Sequence, residues 1–515
     1  MYLILTASKD AYITNKIISN KFRATDANTG YAGTLDIFKL YAESTSGSSS
    51  TPKELSRALI KFDLSPLVSL SSSSLDLNSS TFEAKLKLYD ILGGQATPSD
   101  FNLVVYPLSR SFDEGIGRDV ASFADLDICN FITASYATGS TQLWAMSGAN
   151  STGLMGSKNI DIMTSGNLGS GIVDFGASQN FIKGNEDLNV NVTTLISASL
   201  ANILHNEGFR VSLSGSEETD QKTRFVKRFS SRHASDKLRV PQLHISWDDT
   251  IADHHNDFIF DVSGSLFLNN YQRGSKSNLV SGSSATAISG DNCIILKLQK
   301  GDFSQYITGS QHKAGTTNSV VTGLYSASFA VDSFTSTKVN TKTQTSLMDV
   351  LNKSGSVTFD EYWLSLDETI AYHTGALEVK RSRSTSYSSQ PSDLQFRFFN
   401  LGQEYGPTDI VTLRVFVNDL AIPEKVYKTP YSKKSIILSK LYYRVKDIIS
   451  QEIVIPFKTS NNATKFSVDS EGMYFDFRME SLPPNRSYVF ELLVKDFGLN
   501  QTFENASANF RVVES

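Results

Sequence analysis

Six cations crowd the stretch Arg224–Trp247, RFVKRFSSRHASDKLRVPQLHISW: Arg224, Lys227, Arg228, Arg232, Lys237 and Arg239. Cations interleaved with aromatic rings, as in RFVKRF, suit a groove that holds nucleic acid, because the rings stack on bases while the cations meet phosphates. Cations facing carboxylates suit salt bridges, within a domain or across a subunit contact. A carbohydrate site would instead want exposed aromatics beside polar groups. Period-2 alternation puts Phe225, Lys227 and Phe229 on one face of a first strand and Leu243, Ile245 and Trp247 on one face of a second, beyond Pro241. Arg224, Lys227, Arg228, Arg232 and Arg239 form the candidate cluster, and salt bridging within or between subunits is its leading role. Ligand contact is the alternative.

Other chemistry-bearing residues are sparser. Paired carboxylates can cleave a glycoside when one protonates the leaving group and the other attacks or activates water. Asp113 and Glu114 are adjacent, which on a strand sends them to opposite faces, so they read as an exposed acidic turn before Gly115. Glu217, Glu218 and Asp220 precede the basic strand and read as its charge balance. His254, His255 and Asp257 are the nearest approach to a metal cluster, but adjacent histidines in a polar hinge lack the i, i+4 spacing of H-E-x-x-H. The sequence contains no Cys-x-x-Cys, phosphate-binding Gly-rich Lys loop or G-x-S-x-G elbow, and with seven histidines it offers few partners for a nucleophilic serine. No catalytic residue, metal ligand or cofactor is expected.

These side chains need a scaffold. The 515 residues suggest about three domains at roughly 100–200 residues each. A net charge of -5 argues against the basic field that holds nucleic acid. No apolar run reaches about 18 residues, so no membrane span is expected, and MYLILTASKD reads as a strand rather than a signal peptide because it lacks a basic n-region and a small-residue cleavage site. Cys129 and Cys293 each sit among apolar residues and read as buried thiols, in keeping with a reducing compartment. Phe, Tyr, Val and Ile between Ser/Gly/Asn/Thr clusters favour an all-β chain.

Short alternating segments then follow one another. In RALIKFDL, Ala58, Ile60 and Phe62 point one way and Leu59, Lys61 and Asp63 the other, which predicts a strand with one covered face. KLKLY (Lys85–Tyr89) and LVVYPL (Leu103–Leu108) continue the pattern, and the Gly/Ser-rich segment from Ser109 to Gly184 reads as a long excursion packed over the sheet. Thr193 or Thr194 is placed to cap a short helix carrying Ile196, Leu200, Ile203 and Leu204 on one face. ESTSGSSSTPKE (Glu43–Glu54) and VKRSRSTSYSSQPSD (Val379–Asp393) read as exposed loops. A second unit starts at FIFDVSGSLFL with Phe258, Phe260 and Val262 in phase, and a third contains VTLRVFV.

The order DAYI, RALIKFDLSPL, KLKLY, YPLSRSFDEGIG, DLNVNVTTLI, GFRVSLSG, RFSSRHASDKLRVPQLHISW resembles the DNRLRE-type β-sandwich. That family is similar to carbohydrate-binding jelly rolls and occurs in surface and extracellular proteins. The resemblance implies a closing hairpin made of the two strands in Arg224–Trp247, with Phe225 and Phe229 or their opposite face in the core; His233 stands where the family favours Glu. LPPNRSYVFELLVKD, with Leu482, Pro484 and Tyr488, resembles the fibronectin-type-III corner in which a Tyr follows a Leu-x-Pro turn. Tandem β-sandwiches are expected: residues 1–250 jelly-roll/DNRLRE-like, 251–405 Ig-like, and 406–515 Ig- or fibronectin-III-like. LTASKDAYITNKII, GTLDIFKLY and GGQATPSDF are similar to virion structural proteins of large tailed bacteriophages, particularly marine myovirus-like phages. This implies a non-enzymatic virion component of the tail, neck or baseplate periphery. Its partners would be other virion proteins in a symmetric homo-oligomeric particle assembled in the host cytoplasm. The alternative is a host-surface adhesin or carbohydrate-binding module.

Overall fold

The computed structural model describes all residues except 20, 42–52, 72–74, 94–97, 126, 170, 274, 283–284, 314–319, 341–342, 382–392, 421–432, 496–499 and 515. Most of the two predicted polar loops, Glu43–Glu54 and Val379–Asp393, therefore lies outside the described residues. The chain is all-β, built as tandem β-sandwiches. It divides into two compact units: Leu3–Ser69 with Phe82–Ser246, and Met1–Tyr2 with Leu70–Thr81 and Trp247–Ser515. No described helix is long and apolar enough to cross a membrane.

The first unit is organised on the long strand Tyr2–Thr14, which has Lys53–Phe62 on one side and Gln242–Ser246 on the other. A bulge between Ala7 and Lys9 resets its register against Lys53–Phe62, pairing Asp10 with Ile60 and Ile13 with Arg57. From Lys53–Phe62 the sheet runs on through Phe209–Leu213 and Phe101–Pro107 to Ala177–Phe181, and from Gln242–Ser246 through Glu83–Leu88 to Leu188–Asn191. Thr34–Tyr41 pairs with Lys53–Phe62 and carries Arg224–Ser230 on its far side. Arg224–Ser230 then meets the end of Glu83–Leu88 through Ile91 N–H to Arg228 O (3.0 Å) and Ser230 N–H to Tyr89 O (3.0 Å). These pairings close a circuit of strands and leave few open edges.

Three expectations are corrected here. The two strands of Arg224–Trp247 do not form a hairpin: Arg224–Ser230 pairs with Thr34–Tyr41, and Gln242–Ser246 with Glu83–Leu88. Lys53–Phe62 is covered on both faces, not one. The excursion from Ser109 onward lays Phe112, Cys129, Ala134, Trp144 and Ile162 on Ile13 and Leu59, so the face assigned to solvent becomes a second core. The short helix Thr193–Leu200 exists, but Val192 is its N-cap with no side-chain cap, and the Thr193 hydroxyl accepts the Ala84 N–H instead (2.9 Å).

The second unit contains two large sheet systems beside two small two-stranded sheets. In the first, the strands follow the order Gly264–Asn269, Val320–Phe329, Phe303–Lys313, Ile294–Lys300, Ser356–Leu364, Ala371–Lys380, around a core that includes Phe258, Phe260, Leu296, Leu298, Tyr325, Phe359 and Trp363. Val262 departs from the expected phase and is exposed, because Asp261 adopts φ 63° and turns the chain. Cys293 is half-buried rather than buried, whereas Cys129 is fully buried; both are free thiols. The second system is a sandwich. One sheet runs Leu394–Phe398, Ile410–Asp419, Gly472–Arg478, Ser467–Asp469; the other runs Glu404–Tyr405, Gln501–Val512, Arg486–Val494, Leu441–Asp447, Ile453–Ile455. The chain crosses between them at Met479–Arg486, where the Tyr488 hydroxyl donates to Pro483 O (2.6 Å). This is the predicted tyrosine corner.

Candidate functional site

Arg224, Lys227, Arg228 and Arg232 of the cluster meet carboxylates inside the first unit. Arg228 faces Asp36 directly across the strand pair and binds it with two hydrogen bonds of 2.7 Å, a bidentate cross-strand pair. Lys227 is 1% exposed and has three partners: Asp90 Oδ1 (2.5 Å), Gly184 O (2.8 Å) and Glu186 O (2.8 Å). Its ammonium also lies over the Phe181 and Phe229 rings. Burial holds its pKa below the usual lysine range against the opposing pull of Asp90. Arg224 binds both oxygens of Asp220 at 2.9 Å. Arg232 binds Glu114 Oε2 at 2.6 Å. Arg239 is exposed, and the Lys237 amine donates to Arg232 O (3.0 Å).

Register explains why alternation misplaces Phe225. Arg224 pairs with Lys39 and Lys227 with Ile37, so three steps on one strand oppose two on the other. The extra residue flips the parity of everything before it. Phe225 is 49% exposed while Phe229 is fully buried. The acidic residues Glu217, Glu218 and Asp220 do provide charge balance: Glu218 grips Arg57, Asp220 serves Arg224 and Lys39, and Glu217, which accepts the Asn102 N–H, lies 3.9 Å from Arg224.

Buried cations also lie outside the basic stretch, Lys39 and Arg57 among them. Lys39 is fully buried and donates to Glu217 O (3.1 Å) and Asp220 Oδ1 (2.5 Å). Arg57, 2% exposed, donates to both Glu218 oxygens (2.9 and 2.6 Å), Gly148 O and Asn150 Oδ1. Arg57 shares the face of Leu59, and that alternation was the available signal; without the excursion above it, the position reads as solvent-exposed.

Only Glu114 departs from the expected exposed acidic turn: the Asp113 side chain is 41% exposed, that of Glu114 15%. Asp113 accepts the Tyr136 N–H (2.9 Å), whereas Glu114 turns inward to accept the Asp10 N–H through Oε1 (2.9 Å). Asn28 fixes this segment by donating to Glu114 O and Cys129 O (2.8 Å each) and accepting the Gly117 N–H (2.7 Å). The approach is so close that a Cβ on Gly30 would overlap the Glu114 carbonyl. Beside Glu114 lie Asp10, whose Oδ2 accepts the Arg232 N–H (2.6 Å), and His233, whose ring stacks on Tyr31 with centroids 4.1 Å apart. Burial pushes the Asp10 carboxyl up to about 7, opposed by the Arg232 N–H, and burial also lowers the His233 pKa, opposed by the Glu114 charge. Asp10, Glu114 and His233 each place one potential donor atom within 4.8 Å of the others, and they are the one such group among the described residues. All three lie in motif segments, but they are too far apart in sequence to read as a group.

The adjacent histidines of the second unit part company. His254 bonds the Ser265 backbone, while His255 sits between Asp253 (Nδ1, 2.6 Å) and Glu361 (Nε2, 3.1 Å). Asp257 is not part of that arrangement. Burial opposes the charge on His255, but its hydrogen bonds to the two carboxylates outweigh it and push the pKa up to about 10. Glu361 also accepts the Trp363 indole N–H (2.6 Å). His255 is thus an imidazolium held in a buried ion-pair triad, a poor metal ligand because both nitrogens are protonated. The triad borders a cavity of about 350 Å³ that is also lined by Tyr271, His373, Arg414 and Asp469.

No family model matches the sequence, and no curated protein matches it. Among solved structures, the chain is similar to three N-terminal domains of the bacteriophage RB49 Highly Immunogenic Outer Capsid protein, at 9% identity over 49% of this chain and 71% of that one, with a TM-score of 0.14. It is also similar to a putative membrane anchored protein from Corynebacterium diphtheriae, at 8% identity over 100% and 97% of the two chains with a TM-score of 0.13. A third similarity is to the BSP domain of a biofilm associated protein, at 8% identity over 96% and 69% with a TM-score of 0.14. Scores this low carry no functional inference.

Proposed function

We propose that this chain is a non-enzymatic structural component of a tailed-phage virion, at the tail, neck or baseplate periphery, acting through contacts with other virion proteins. It works as three sandwich domains, residues 1–250, 251–405 and 406–515, in a symmetric homo-oligomeric particle assembled in the host cytoplasm. It uses no cofactor and contacts neither nucleic acid nor membrane. The observation that carries this reading is the fate of the basic stretch: Arg224, Lys227, Arg228 and Arg232 are each taken up by a carboxylate of their own unit, so these four charges serve architecture. The similarity of LTASKDAYITNKII and GTLDIFKLY to virion proteins supports the same reading. Mass spectrometry of purified virions should detect the chain at fixed stoichiometry, and its location should be visible in a particle density map. Its absence from purified particles would overturn the proposal.

A host-surface adhesin or carbohydrate-binding role is favoured by one specific feature, the polar cavity of about 350 Å³ with Tyr271, 59% exposed, at its lining. An exposed ring beside fixed hydrogen-bonding groups is what a sugar face requires. Glycan-array binding that is lost in Tyr271→Ala supports this second reading, and uniformly absent binding removes it.

A further inference from the structure

We infer that Asp10, Glu114 and His233 bind a divalent transition-metal ion of the zinc class. Their donor atoms, one from each side chain, all lie within 4.8 Å of one another. Glu114 Oε1 and His233 Nε2 are 3.5 Å apart. That is long for a hydrogen bond but close to the ~3.4 Å edge of a tetrahedron built on metal–ligand bonds of about 2.1 Å.

Two atoms of the cluster point independently to a missing partner. Asp10 is 1% exposed, and its Oδ1 is buried with no hydrogen-bond partner; His233 Nε2 is in the same condition. Buried polar atoms are nearly always satisfied, and each orphan is costly. Here the Asp10 oxygen has no hydrogen-bond partner and the His233 nitrogen has only the 3.5 Å approach of Glu114 Oε1, and one bound cation would satisfy both.

The remaining atoms of the ligands are already held as a metal site requires. Asp10 Oδ2 accepts the Arg232 N–H, and Glu114 Oε2 takes the Arg232 guanidinium (2.6 Å), while Oε1 accepts the Asp10 N–H (2.9 Å) and faces His233 with its other lone pair. Tyr31 packs on the His233 ring and fixes its plane. The bulge after Ala7 sets Asp10 on the strand, Asn28 and Gly30 seat Glu114, and Ser231, whose hydroxyl accepts the His233 N–H (3.1 Å), holds the turn carrying the histidine. The donor set narrows the class: two carboxylate oxygens and an imidazole match zinc and its neighbours, whereas calcium requires six to eight oxygens.

The test uses the full chain, stripped with EDTA. Titration with ZnCl2 by calorimetry should show one equivalent bound. CoCl2 should give visible d–d absorption that ZnCl2 abolishes, and CaCl2 should not compete. His233→Gln should weaken zinc binding at least tenfold and remove the cobalt spectrum, and His255→Gln, at the histidine held between Asp253 and Glu361 in the second unit, should leave both unchanged. Because His233 lies on a turn, its variant is checked for folding by circular dichroism; Glu114→Gln provides a second variant with the same expectation. No stoichiometric zinc uptake by the wild-type chain, or uptake untouched in folded His233→Gln, would overturn the inference. So would a preference for calcium.

Discussion

Arg224 and Lys39 stand directly opposite each other across an antiparallel strand pair, and Asp220 bridges them, binding Arg224 at 2.9 Å and the fully buried Lys39 ammonium at 2.5 Å. Like charges in register repel, so this pairing exists only because a carboxylate from outside both strands neutralises it. The hydrogen bonds from Arg224, ahead of those from Lys39, hold the Asp220 carboxyl well below the usual carboxylate range.

Asp220→Asn should therefore destabilise the chain by roughly 2–3 kcal/mol, less than the loss of a fully buried partner because Asp220 is itself partly solvated. Lys39→Met in the same background should recover part of that loss. Denaturant melts of the two single variants and the double variant check the coupling; additive effects would contradict it.

The bulge between Arg224 and Lys227 predicts opposite outcomes for two phenylalanines four residues apart. Phe225→Ser, at an exposed position, should change stability by no more than about 0.5 kcal/mol, and Phe229→Ala, in the core, should cost about 3–5 kcal/mol. Equal effects in equilibrium unfolding would mean that the strand follows simple alternation after all.

Charge reversal at Arg228 should impair folding or particle assembly. Arg228→Glu sets a carboxylate opposite Asp36, where a bidentate pair now sits, and replaces attraction with repulsion at a cost of roughly 2–4 kcal/mol. Soluble yield and melting temperature report the effect. A variant that folds and assembles normally but loses binding to a ligand would return this stretch to a recognition role.

The His255 triad predicts an alkaline decline in stability. In the unfolded chain its pKa is near 6.5; in the folded chain it is about 10. Between those values the folded state holds a proton that the unfolded state lacks. The stabilisation is thus complete below pH 6.5 and is lost as pH rises through about 10. Melting temperatures from pH 6 to pH 10.5 should fall across this window, and His255→Gln should flatten the slope by removing the titrating group between Asp253 and Glu361. An unchanged slope in the variant would sink the assignment.

Tyr488→Phe isolates the corner of the C-terminal sandwich. It deletes only the hydroxyl that reaches Pro483 O at 2.6 Å and should cost about 1–1.5 kcal/mol, read as a lower denaturation midpoint with unchanged slope.

Local chemistry determined a good deal of this protein in advance. Period-2 patterns marked the strands around Ile60, Leu243 and Val415, because a half-buried strand must alternate whatever it pairs with. The spacing of Leu482, Pro484 and Tyr488 marked a corner whose hydrogen bond closes within five residues. The cation-rich strand was visible as composition, and so was the nearby supply of acids. Tertiary structure alone decided which acid each cation meets, because Lys227 with Asp90 and Arg228 with Asp36 are contacts between distant strands. It also decided that a bulge turns Phe225 outward, that the excursion carrying Trp144 buries Leu59 and Arg57 on a face that alternation assigns to solvent, and that Asp10, Glu114 and His233 converge. A bulge shifts register by one residue without altering composition, and a convergence of three separate segments leaves no periodic trace in any one of them; neither exists until the sheet closes.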